Sequence, residues 1–93
     1  MRMGTELTLS FLRGKLMAGY LSLPRERVGP VARTRELPEG LVVDYDEDGH
    51  EIGVEIVDPC PEAVEALFRL VEELHLPDAE EELAPLRRQV ALV

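Results

Sequence analysis

The sequence predicts a two-layer α+β domain, and three observations carry that expectation. Apolar residues alternate with polar ones in short runs between Thr5 and Val57, the period of strands half-buried in a sheet. Glycine- and proline-containing turns separate those runs at short intervals, as antiparallel neighbours require. From Cys60 onward the apolar spacing lengthens to that of a helix. The expected architecture is therefore a five-stranded antiparallel β-meander with a C-terminal α-helix packed on one face. With 93 residues the chain forms a single domain. Its meander is expected over about 5–57, a helix over about 61–75, and a short helix and tail over 79–93.

The elements follow in order. Leu7, Leu9 and Phe11 share one face of a first strand, and Arg13-Gly14-Lys15 reads as a tight turn into a second strand, Leu16 to Leu23. Pro24 stops that strand, Arg25 to Pro30 is a loop, and Val31 to Leu37 is a third strand. Pro38-Glu39-Gly40 is a turn with its proline early and its glycine late. Leu41 to Tyr45 and Glu51 to Val57 are strands four and five, joined through Asp46-Glu47-Asp48-Gly49. Pairing Tyr45 with His50 sets Val43 against Ile52 and Leu41 against Val54, all on one face. A slip by one residue would mix the faces, exposing several side chains at about 1.5–3 kcal/mol each. Between strands three and four two registers compete: a three-residue loop with a bulge, or one that sets Arg33 beside Asp44.

Cys60-Pro61-Glu62 starts the helix, with Cys60 at the cap and proline at the first helical position. Its polar residues, Glu62, Glu65, Arg69, Glu72 and Glu73, share one side, with Glu65 and Arg69 spaced as an i,i+4 pair. Leu76-Pro77 ends it. Asp78 with Glu81 forms a capping box for a second short helix, which Pro85 is expected to end or bend. Leu86 to Val93 fits helix or strand equally.

Charge narrows the function. The net charge is -9, which argues against nucleic acid, a polyanion that needs a basic surface. The charge is also polarised. Residues 1–35 carry seven basic groups against Glu6 and Glu26, a net of +5, whereas residues 36–86 carry seventeen acids against Arg69, a net of -16. Such a chain pairs its own halves or offers its acidic part to a basic partner. No apolar run approaches the roughly 20 residues of a membrane span, and the polar residues among the first fifteen do not fit a signal peptide. A cytoplasmic protein is the expectation. Nine of the ten basic residues are Arg, Asn is absent and Gln89 is the one Gln, a composition that suits a heat-stable protein or a GC-rich genome.

Several groupings invite chemistry. Asp44, Asp46, Asp48 and Gly49, followed by Glu55, match the spacing of a calcium-binding EF-hand loop. An EF-hand loop lies between helices, however, and both flanks here alternate like strands, so the expected reading is an acidic hairpin turn. Cys60, the one cysteine, sits where a helix dipole favours a thiolate, yet neither His50 nor His75 lies close in sequence to serve as its base. The two histidines lack a paired ligand spacing. Arg25, Arg27, Arg33 and Arg35 make a basic group with Tyr20 as the nearby aromatic, without a nucleic-acid motif. No cofactor and no catalytic set is expected.

From Ala18 to Ile56 the chain resembles a family of small prokaryotic proteins, the domain-of-unknown-function family 2283. Ala18-Gly19-Tyr20-Leu21-Ser22-Leu23 and Val31 to Leu37 carry part of the resemblance. The run Val43-Asp44-Tyr45-Asp46-Glu47-Asp48-Gly49, followed by Ile52-Gly53-Val54-Glu55-Ile56, is its most specific part. The resemblance implies a hairpin-rich domain with a following helix and no established activity or ligand. It further hints at one half of a two-gene module, beside a small basic toxin-like protein. Cys60 stands where the family more often has Ser or Ala, which favours a cap over a nucleophile. The opening Leu7-Thr8-Leu9-Ser10-Phe11 replaces a short acidic start.

These readings converge on a non-enzymatic interaction module that binds a basic protein, antitoxin-like, and that forms a homodimer. The dimer expectation rests on area: the apolar arc of the helix is wider than one sheet face covers. Val64, Phe68 and Val71, or an open strand, are the expected interface unless the tail folds over the helix. The alternative is a calcium binder or small enzyme using Asp44, Asp46, Asp48 and Glu55.

Overall fold

The computed structural model describes residues 5–24, 30–76 and 79–91. Over these the chain forms strands β1 (Glu6–Leu12), β2 (Lys15–Ser22), β3 (Arg33–Leu37), β4 (Leu41–Tyr45) and β5 (Glu51–Ile56), then helices α1 (Pro61–Glu73) and α2 (Ala79–Ala91). The fold class is α+β, as the sequence predicts. No described helix is long and apolar enough to cross a membrane. The loop expected over Arg25 to Pro30 lies, except for Pro30, outside the described residues, as do the Asp78 cap and the last two tail residues.

The strands do not run as a simple meander. Their order is β1-β2-β5-β4-β3, all neighbours antiparallel, so β5 rather than β3 lies beside β2. Burial explains the order. Ile52, Gly53, Val54 and Ile56 of β5 are buried, whereas residues 33–36 of β3 are exposed on both faces. The apolar strand takes the interior place and the charged one the edge, where Arg and Glu side chains reach water.

Registers follow from turns and bulges. Leu37 faces Leu41 across Pro38-Glu39-Gly40, so the three-residue loop wins. Thr34, not Arg33, then faces Asp44, and Gly40 takes a φ of 91°. Between β4 and β5, Leu41 faces Ile56 and Val43 faces Val54, two residues from the expected pairing. A bulge after Asp44 leaves Tyr45 opposite Glu51 rather than His50. A two-residue offset preserves the faces, so Leu41, Val43 and Val54 reach the core as expected, joined by Ile56, while Ile52, expected on the same face, is buried outside that cluster. Arg13 and Gly14 have φ of 52° and 78°, the pair of left-handed residues that a two-residue hairpin turn needs.

Both helices cover the same face of the sheet. Leu21, Leu41, Val43, Val54 and Ile56 form one core cluster with Ala63, Val64, Leu67 and Val71 of α1 and Leu83, Leu86 and Val90 of α2. The helix α2 continues past Pro85 to Ala91, so of the two expected outcomes, an end or a bend, Pro85 does not end it. Proline costs a helix interior about 3 kcal/mol, whereas burying Leu83, Leu86 and Val90 returns about 1.5–3 kcal/mol each. Packing wins. Glu65 likewise pairs across the helices, its Oε1 3.0 Å from Nη2 of Arg87, rather than with Arg69 along its own helix.

The helix α1 ends in a double backbone turn. His75 N–H donates to the Glu72 carbonyl at 3.1 Å and Leu76 N–H to that of Val71 at 3.2 Å. The geometry places His75 at a φ of 56°, where glycine is the usual occupant. His75→Gly is expected to raise stability by about 1 kcal/mol by removing that strain. Thermal unfolding checks it, and an unchanged or lower Tm would contradict it.

Candidate functional site

Alternation along each strand defines a second sheet face, turned away from the helices. On it lie Glu6, Thr8, Ser10 and Leu12 of β1, Lys15, Ala18, Tyr20 and Ser22 of β2, Gly53 and Glu55 of β5, Val42 and Asp44 of β4, and Thr34 and Glu36 of β3. Four carboxylates share this surface, and the same alternation places one cation on it, Lys15, opposite Leu12 at the overhanging end of the β1–β2 hairpin. Arg33 and Arg35 alternate to the other side, and the Arg33 guanidinium lies 5.3 Å from the Tyr45 ring centroid. Among the described residues no ion pair joins Glu6, Glu36 or Glu55 to a cation.

The centre of this face is built from three strands. Tyr20 O–H donates to Asp44 Oδ2 at 2.8 Å, reaching from β2 across β5 to β4. The ring can do so because the residue beneath it is Gly53, where a Cβ would collide with the phenol. A glycine inside a strand often marks such an approach. The aromatic in turn covers the backbone that glycine leaves bare. Tyr20 thereby locks β2 to β4 through a strand that touches both.

The acidic turn at the end of the same sheet is a local structure. Asp46 Oδ1 accepts the N–H groups of Asp48 and His50, each at 2.9 Å, and Gly49 N–H donates to the Asp46 carbonyl at 3.1 Å. Gly49 has a φ of 84°. The His50 N–H is the main cause holding the Asp46 carboxyl below its ordinary range, with partial desolvation opposing and the Asp48 N–H and His50 charge adding. A carboxyl depressed on folding contributes stability above its unfolded pKa and loses it as pH falls through the folded value.

The structure divides the calcium-like pattern. Asp46, Asp48 and His50 bring one ligand atom each within 4.8 Å of one another, but Asp44 and Glu55 belong to the sheet face. Asp44 is held by Tyr20, and Glu55 lies further along β5, opposite Val42.

The remaining candidates are dispersed. Cys60 is the N-cap residue by position, half-buried against the core, and its thiol makes no capping hydrogen bond. His75 is at the far end of α1, about 20 Å away along thirteen residues of helix. Val64 and Val71, expected at a dimer interface, are 2% and 1% exposed, enclosed by the sheet and α2. Phe68 is half-buried, with the Arg87 guanidinium stacked 3.7 Å from its centroid. The wide arc of α1 is covered within the chain because α2 folds over it. Of the basic group, Arg25 and Arg27 lie outside the described residues.

Fold and face together define a small two-layer α+β domain with one sheet face under helices and the other open and acidic. Residues 18–58 match the model of a family described as Protein of unknown function (DUF2283). The matched segment begins within β2 and ends just past β5, taking in the crossed sheet order and the acidic turn but neither β1 nor the helices. Comparison with curated proteins and with solved structures finds no match.

Proposed function

We propose that the protein is a non-enzymatic interaction module whose open sheet face receives a basic segment of another protein, in the manner of an antitoxin and its partner. The observation that carries this reading is the set of four carboxylates on one sheet face, Glu6, Glu36, Asp44 and Glu55, which outnumber the one cation placed there among the described residues, Lys15 at the overhanging end of the β1–β2 hairpin. A flat β surface fixes the spacing of those charges at little conformational cost. Complementary potential raises association rate and selects partners by sign.

Capture at low salt tests the reading. The chain is expected to retain a basic protein that elutes as salt rises, and the variant Glu36→Lys/Glu55→Lys, changed at surface positions, is expected to retain none of it. An empty low-salt capture, or undiminished capture by the variant, counts against the proposal. A second reading, metal binding at the turn, is favoured by the convergence of Asp46, Asp48 and His50. Calorimetry with calcium separates the two: a saturable micromolar isotherm abolished by Asp46→Asn would support the metal site.

A further inference from the structure

We infer that two copies of the chain pair through the free edge of β1, extending the sheet across a two-fold axis. The sheet has two outer strands, and they differ in kind. The β3 edge carries Arg33, Arg35 and Glu36, all exposed, with Pro38 directly after it, the features that discourage edge pairing. The β1 edge carries no charge and no proline from Leu7 to Leu12. Among the described residues no further strand pairs with it, and four of its six residues there are apolar.

The exposed apolar side chains concentrate at the same place. Only Gly19 to Ser22 of β2 pair with β5, so the hairpin beyond them overhangs the sheet. On that overhang Phe11 is 50% exposed, Leu12 59% and Met17 45%. The charges at the two ends of β1 are opposite, Glu6 at its start and Arg13 just after its finish. An antiparallel pair centred on Leu9 uses all of these features. It sets Leu7 against the second copy's Phe11 and Thr8 against the second copy's Ser10. It also sets Glu6 of each copy opposite the other's Leu12, one residue along the strand from Arg13. Both copies keep their helices on one side of the shared sheet. Slipping the register by two residues, which moves the centre to Ser10, would oppose Leu7 to Arg13. Shifting it the other way would leave Leu12 unpaired. Because the two-fold uses β1 twice and leaves a charged β3 at each outer edge, assembly closes at two copies.

Sedimentation of the full chain at micromolar concentration tests the inference. The expected mass is twice 10.4 kDa. Thr8→Lys/Ser10→Lys changes two exposed side chains and sets like charges opposite each other twice. That raises the dissociation constant by at least about tenfold. Thr8→Glu/Ser10→Glu is expected to do the same, and mixing the two variants to restore a dimer. Hydrogen exchange on the unmodified chain gives an independent measure. Amides of β1 should slow as concentration rises, and those of β3 should not. A monomer of the unmodified chain, a dimer indifferent to the lysines, or exchange in β1 independent of concentration would each overturn the inference.

Discussion

Leu86→Ala is expected to lower the unfolding free energy by about 2–5 kcal/mol, the range for truncating a buried leucine. Leu86 is fully buried, and its Cδ1 lies 3.9 Å from where a Cβ on Gly19 would sit. It therefore packs α2 against β2 beside Gly19. Shortening it leaves a cavity between two layers that cannot easily close, because Gly19 supplies nothing to fill it. Small domains hold about 5–15 kcal/mol in total, so the loss is a large share. Urea denaturation followed by far-UV circular dichroism measures the change, with the exposed Arg88→Ala as control, expected to shift stability by no more than about 0.5 kcal/mol. A loss for Leu86→Ala as small as the control's would mean that α2 does not hold the core.

The second large effect is expected at Gly53, and its sign depends on Tyr20. In the unmodified chain Gly53→Ala drives the phenol off the strand and breaks its bond to Asp44. A hydrogen bond to a charged group contributes about 1.5–3 kcal/mol, so a loss of that order is expected. With Tyr20→Ala already in place, the obstruction is gone. Alanine should then stabilise the strand by about 0.5–1 kcal/mol, the usual penalty of an interior glycine. The double-mutant cycle isolates this coupling. Equal effects in both backgrounds would show that ring and glycine are not in contact.

Much of this fold is legible in sequence because each local signal has one physical reading. Alternation marked all five strands, the Pro38-Glu39-Gly40 turn was identified although its register was open, and Cys60-Pro61 set the start of α1. What escaped was decided between distant elements. The strand order depends on comparing the burial of β3 with that of β5, a competition no single window contains. Pro85 reads as a breaker locally and is overridden by the buried face of Leu83, Leu86 and Val90. The two-residue offset between β4 and β5 was invisible because both registers keep the same faces. The Tyr20–Gly53–Asp44 contact had one available signal, a glycine inside an apolar strand, and its partner lies on another strand. The acidic turn was placed correctly, and its calcium-like spacing proved to span two unrelated surfaces.

The crossed strand order also sets the course of folding. Pairing of β1 with β2, and of β3 with β4 and β5, joins neighbours in sequence and closes short loops. The bond between those two halves is different: Gly19 meets Ile56 across 37 positions of chain. Closing that loop costs entropy before any packing offsets it. The hairpin and the three-stranded unit can therefore form early and separately, while the β2–β5 seam is the late, rate-setting contact. Until it forms, the apolar edge of β5 stays open, and the time the chain spends with that edge exposed is the interval in which it is most prone to misassociate.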